Sequence, residues 1–154
     1  MSESVDLYEF RSYVPDDIPF IQSSWGNSYY VGVSGHQQLS PEEFHSYHRP
    51  IRERALSKPN IAAIVCHAKA DPSTILGWIL VEKPNDLPYL TLHYLYVKAS
   101  VQGNHLGSEL VRMALPIRPI LYTHSTTKAR RIIKENWKAN KEDYARWLFC
   151  PHLI

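Results

Sequence analysis

The sequence predicts an α+β fold, with a mostly antiparallel, twisted central sheet of about six to seven strands flanked by about four helices. Three observations predict it. Hydrophobic periodicity changes along the chain in the order β, α, α, β, β, β, α, β, α, β. The three successive strand-like runs in the middle are separated only by turn residues, the mark of an antiparallel meander. The last of them, Tyr89 to Val97, passes through a short polar loop into a helix and then a further strand, a crossover to a parallel neighbour.

Leu7 to Val14 alternates as a strand, and Pro15-Asp16-Asp17 begins a helix with Ile18, Ile21 and Trp25 on one side. Trp25 to Gly35 is glycine-punctuated and aromatic, and reads as a loop or frayed helix end beside a cleft. Ser40-Pro41-Glu42-Glu43 is a helix start: Ser40 caps, Pro41 takes the first helical position and Glu43 completes the box. Phe44, Tyr47, Ile51 and Ala55 keep one apolar face across Pro50, where a kink or break is expected. Strands follow over Ile61 to Ala68 and Thr74 to Glu82, with turns around Asp71-Pro72-Ser73 and Pro84-Asn85-Asp86. After the meander, Leu106, Leu110, Met113 and Ala114 recur at helical spacing until Pro116 stops the helix. Ile120 to Thr123 is a short strand. Ser125 to about Trp137 is a basic helix with Ala129, Ile132 and Ile133 inward, and Tyr144 to Cys150 is the last strand.

The 154 residues, 44% hydrophobic and 21% charged, suit a single domain over 1–154 with a real core. A net charge of +2 gives no whole-molecule field for nucleic acid or a membrane surface. No apolar run approaches the ~20 residues of a membrane span, and the N-terminus lacks a leader pattern. Cys66 and Cys150 make no disulfide framework and fit a reducing cytosol, so a cytoplasmic location is expected.

The chemistry is expected where Val97 leads into Gln102-Gly103-Asn104-His105-Leu106-Gly107. A helix's first turn leaves N–H groups without intrahelical partners, and with the positive end of the helix dipole they suit a phosphate or diphosphate. Gly103 permits close approach, and Gly107 lets the helix start pack tightly. This loop, in its strand-to-helix setting, resembles the acetyl-coenzyme A signature of the GNAT N-acetyltransferase superfamily. That signature reads Arg or Gln, two residues, Gly or Ala, one residue, Gly or Ala. Gln102 and Gly107 match its ends, while His105 stands where the middle glycine is usual. A histidine is easily tolerated there if its φ is negative and helix-like, and is damaging if the turn needs positive φ.

The element order is also that of the superfamily, so the resemblance covers nearly the whole chain. It implies a splayed cleft and acetyl-CoA as cofactor. Gln102, Gly103, Asn104, His105, Leu106, Gly107 and Ser108 would hold the diphosphate. The main chain of Leu95, Tyr96 and Val97 would hold the pantetheine arm. The implied function is an acetyl-CoA-dependent N-acetyltransferase acting directly on a primary amine, its acceptor a small molecule or a peptide. Such a reaction needs a base, an oxyanion donor and an acid for the leaving thiolate. Many members carry a polar residue after the fifth strand and a Tyr seven residues later; here those positions are Thr126 and Ile133. Thr126 is able to hydrogen-bond the cofactor, but Ile133 cannot be an acid, which leaves Tyr122, Tyr144 or solvent. For the base the candidates are His93, with Glu82 behind it, and then Tyr94. The small size is similar to that of bacterial and phage members, and a homodimer through sheet edges is compatible with it.

Other readings compete. The departures at His105 and Ile133 favour a catalytically degenerate member that binds a protein partner. Lys128, Arg130, Arg131, Lys134, Lys138 and Lys141 make a basic face, read first as solvated, then as a contact for the cofactor's 3′-phosphate, and last as a nucleic-acid surface. His45 and His48 share a helix face but lack further ligands at zinc spacing, so no metal is expected. Cys66, in a buried strand, reads as packing.

Overall fold

The computed structural model describes residues 7–83, 89–102, 105–115, 120–132, 147–151 and 153. Its strands are β1 (Tyr8–Ser12), β2 (Ile61–Ala68), β3 (Asp71–Glu82), β4 (Leu90–Val97), β5 (Ile120–Tyr122) and β6 (Trp147–Phe149), which form one sheet in that order. The helices are α1 (Ile18–Gly32), α2 (Pro41–Leu56), α3 (Leu106–Ala114) and a helical segment at 127–132, α4. β1 to β4 are antiparallel neighbours; β4–β5 and β5–β6 are parallel. The α+β prediction holds, with six strands among the described residues.

The sheet separates two cores. On one face α3 lays Leu106, Leu110, Val111 and Leu115 against Ile79, Val81, Leu90, Leu92 and Ile120. On the other, α1 places Ile21 and Trp25, and α2 places Ala55, against Val65, Trp78, Leu80 and Tyr94. The amphipathic pattern of α3 is therefore shifted from the expected one: Met113 is 51% exposed, while Val111 and Leu115 are buried.

Three further expectations are corrected. α1 runs through the glycine-punctuated stretch to Gly32, because Gly26 packs tightly against α2. A Cβ at Gly26 would sit 2.9 Å from Arg52 Nη1, so the missing side chain seats that guanidinium. α2 continues through Pro50, which lies on the exposed side of the helix. Its buried stripe is Phe44, His48, Arg52 and Ala55, and Tyr47 is 67% exposed. The β2–β3 turn is at Lys69 and Ala70, with Ala68 paired to Asp71. The predicted capping box of α2 is present: Glu43 N donates to Ser40 Oγ, and Ser40 N donates to the Glu43 carboxylate, both over 3.1 Å. The turn expected at Pro84-Asn85-Asp86 lies outside the described residues, as do Ile133, Trp137 and Tyr144.

β4 carries the feature that positions the site. Leu80 pairs with Tyr94 but Val81 pairs with Leu92, so His93 is an extra residue in β4. The bulge switches the faces of the strand. Leu90 and Leu92 before it, and Leu95 and Val97 after it, all join the aliphatic core, whereas Tyr94 and Tyr96 join the aromatic one. Next to the bulge β4 and β5 part. Their ladder ends with Leu92 opposite Tyr122 and a bond from Thr123 N to Leu92 O of 3.0 Å, while β4 runs on to Val97.

Candidate active site

Beyond the point of parting lies a cleft of about 650 Å³. Its walls are Tyr94 to Val97 of β4, the loop and start of α3 from Gln102 to Ser108, Thr126 to Ile132 opposite, and Ser28, Val31 and Gly32 of α1. A parallel strand pair that separates leaves backbone N–H and C=O groups of β4 without ladder partners, ready for a ligand that binds as an extended chain.

At the far end stands the first turn of α3. His105 occupies its N-cap position with φ 60° and ψ 16°, the left-handed region, and has no side-chain capping bond. It is the single non-glycine residue with positive φ among the described residues. Of the two cases open for this histidine the costlier one holds: the turn requires the conformation glycine favours, at a strain of about 1–2 kcal/mol. No acceptor among the described residues meets the amides of Leu106, Gly107 and Ser108. Gln102 folds back, donating from Nε2 to Val97 O over 3.0 Å and so closing the loop onto the strand end. A Cβ at Gly107 would lie 2.8 Å from Ile132 Cδ1, so this glycine lets α4 pack across the start of α3. Gly103 and Asn104 lie outside the described residues. Lys128 and Arg131 are exposed on the opposite wall. Thr126 caps α4 by accepting from Ala129 N over 3.0 Å, and its hydroxyl proton is left for another acceptor.

The structure separates the predicted catalytic residues from the cleft wall. His93 is fully buried; its Nε2 lies 2.9 Å from Glu82 Oε1 and its Nδ1 3.2 Å from Thr123 Oγ1. Burial lowers the pKa of His93, and the hydrogen-bonded Glu82 carboxylate pulls it back up. Tyr122, expected as an acid, turns to the aliphatic core with its ring 5.4 Å from that of Phe149, and does not line the cleft. Two phenols do line it, Tyr96 and, beside the parting strands, Tyr94. The Tyr94 hydroxyl is 2.8 Å from Ser28 Oγ, and burial raises its pKa, so it is a neutral donor at any working pH. Sequence reasoning did not single out Thr123, His124 or Arg52. His124 is 6% exposed, with its ring against Trp25, Tyr29 and Tyr94. A histidine directly after a strand was the signal available. Cys66 is buried and its thiol pushed up to about 12, chiefly by desolvation, as packing requires.

The cleft thus joins strand groups without ladder partners to the unmet amides of a helix start. The sequence model of the Acetyltransferase (GNAT) family matches residues 23–117, and the chain belongs to this family. No curated protein matches it by sequence. Among solved structures it is similar to a histone acetyltransferase HPA2 and related acetyltransferase from Corynebacterium glutamicum, at TM-score 0.61 and 15% identity over 84% of this chain and 83% of that one. It is similar, too, to the PaiA N-acetyltransferase of Thermoplasma acidophilum in complex with coenzyme A, at TM-score 0.53 and 18% identity over 88% and 75%. At these identities the likeness is one of fold. No helix among the described residues is long and apolar enough to cross a membrane.

Proposed function

We propose that this protein is an acetyl-CoA-dependent N-acetyltransferase that passes the acetyl group directly to a primary amine of a small molecule or peptide. The observation that carries the reading is the cleft itself, open where β4 and β5 part and ending on the first-turn amides of α3. Its donor set suits the cofactor. Amides of Leu106, Gly107 and Ser108 would take the diphosphate, with Gln102 and His105 shaping the loop. Lys128 and Arg131 supply cations for phosphate, and main-chain groups of Leu95, Tyr96 and Val97 suit the amides of a pantetheine arm. Thr126 adds a hydroxyl. When bound, the cofactor supplies an activated acetyl thioester.

The remaining work falls to side chains. Tyr94, neutral and with its hydroxyl beside Ser28 on the cleft wall, is the donor we assign to negative charge developing on oxygen or sulfur. The apolar walls exclude water that would compete with the amine. The proton that the amine sheds has a buried acceptor behind the parting point, His93 backed by Glu82. The unpaired Cys66 and Cys150 fit work in the reducing cytoplasm.

Calorimetric titration of the pure protein with acetyl-CoA, followed by a thiol-release assay over a mixed panel of amines, tests the reading. Saturable micromolar binding and amine-dependent thiol release are expected. Absence of heat at high micromolar cofactor rejects it. Binding without turnover replaces it with a cofactor-binding module for a protein partner.

A further inference from the structure

The buried polar groups between the α1–α2 layer and the sheet form one continuous line. Arg52 Nη1 donates to His48 Nδ1 over 2.6 Å, and His48 Nε2 lies 2.9 Å from His124 Nε2. His124 Nδ1 is 2.9 Å from Thr123 Oγ1, which is 3.2 Å from His93 Nδ1; His93 Nε2 is 2.9 Å from Glu82 Oε1. The line starts on α2, passes the point where β4 and β5 separate, and ends on β3. Arg52, His48, His124, Thr123 and His93 are all 6% exposed or less.

The two ends fix its direction. A guanidinium only donates, so His48 Nδ1 must accept and the proton of that neutral ring lies on Nε2. His124 Nε2 must then accept, which puts its proton on Nδ1, facing Thr123. At the other end the Glu82 carboxylate accepts, so neutral His93 carries its proton on Nε2 and offers the lone pair of Nδ1 to the Thr123 hydroxyl. Every bond points from Arg52 toward Glu82.

Thr123 has a second choice of acceptor. Its Oγ1 is also 3.3 Å from the main-chain oxygen of His93. With the hydroxyl turned to that carbonyl, Oγ1 is able to accept from His124 and from a protonated Nδ1 of His93 together. A His93 imidazolium then keeps both N–H groups bonded, one to Thr123 and one to Glu82. The charged and titratable groups that bear on it are Glu82 from β3, Lys58, whose ammonium is 3.5 Å from the same carboxylate, and His124.

We propose that Thr123 is the switch through which His93 gains and loses the proton released by the acceptor amine, and that His124, His48 and Arg52 are positioning residues that hold this switch in register. The N–H bond broken is that of the substrate ammonium, and the one formed is on His93 Nδ1, with Glu82 balancing the charge. Tyr94, next to His93 in β4, lines the cleft, and Thr126, three residues beyond Thr123, lies on its opposite wall. The inference rests on the transferase reading above. The other two rings stay neutral: burial and Arg52 drive His48 down to about 3, and burial holds His124 well below the usual histidine range.

Nitrogen-15 spectra of the intact protein labelled at histidine test the line without any need for turnover. At neutral pH, Nε2–H forms of His48 and His93 and an Nδ1–H form of His124 are expected, with His93 the first of the three to protonate as pH falls. An Nδ1–H form of His93, an Nε2–H form of His124, or joint titration of the three overturns the proposal. The pH profile of kcat/KM tests the switch. In Thr123→Val a protonated His93 loses its Nδ1 acceptor, so kcat/KM is expected to fall tenfold or more and the acid limb to move to lower pH, with Thr123→Ser restoring both. A Thr123→Val enzyme with unchanged rate and profile overturns it. The expected tautomers without thiol release from any amine reject the transferase reading, and with it the role in proton transfer, but leave the line itself. Turnover with other tautomers rejects the line alone.

Discussion

On the α3 side of the sheet the buried residues are Cys66, Ile79, Val81, Leu90, Leu92, Leu106, Leu110, Val111, Leu115 and Ile120, none of which has a strong polar group. On the α1–α2 side Trp25, Trp78 and Tyr94 pack with Arg52, His48 and His124, joined by hydrogen bonds. The Trp25 and Tyr94 rings stack at 5.5 Å, and Trp78 Nε1 donates to Ser24 Oγ over 2.9 Å. The first layer is held by area removed from water and is indifferent to pH. The second contains groups whose burial is tolerable only while neutral or bonded, so its stability follows the proton. One sheet thus has a passive face and a responsive one.

The contrast is broken most strongly from the passive side. Leu110 is fully buried on α3, so Leu110→Ala is expected to cost about 2–5 kcal/mol in urea unfolding, with no change in how stability depends on pH. A different outcome is expected across the sheet. Unfolded histidines take up protons near the ordinary 6.5, whereas His48 resists until about 3, and His124 and His93 are also lowered. The unfolded state therefore binds more protons within that window, and stability is full above it and falls as pH drops from about 6.5 toward 3. A Tm at pH 5 on the order of 10 °C below that at pH 7.5 is expected in thermal scans. His48→Gln, whose amide is able both to accept from Arg52 and to donate to His124, should flatten that dependence. The smallest effect tests neither face: Ser40→Ala removes the α2 cap and should cost about 1 kcal/mol at every pH.

The same contrast explains what the chain made legible. Hydrophobic periodicity marks the aliphatic layer, so β2, β3, β4 and α3 lie where the pattern put them, with small shifts at their ends. The signature around Gln102 and Gly107 identified the loop because its residue types answer to local backbone needs. The responsive layer is different. On α2 the inward stripe includes His48 and Arg52, which a hydrophobic pattern counts as solvent-facing, and Tyr47 took their place in the expectation. His48 meets His124 from 76 positions away, and nothing local records that meeting. Gly26 looked like a helix breaker because the guanidinium it accommodates belongs to another helix. The bulge is equally silent, since His93 fits the strand's composition and only its pairing shows that it is supernumerary.

That single inserted residue has a consequence for how the strand tolerates change. Were β4 to keep His93 but pair without the bulge, strict alternation would run through the strand, and Tyr94 and Tyr96 would exchange sides with Leu95 and Val97. Phenols would then be driven into the oily layer and aliphatic side chains toward α1, half a strand inverted by a slip of one position. Excising the residue outright would leave both sets on their present faces and remove only the histidine, so it is the slip in pairing that wall and scaffold both depend on.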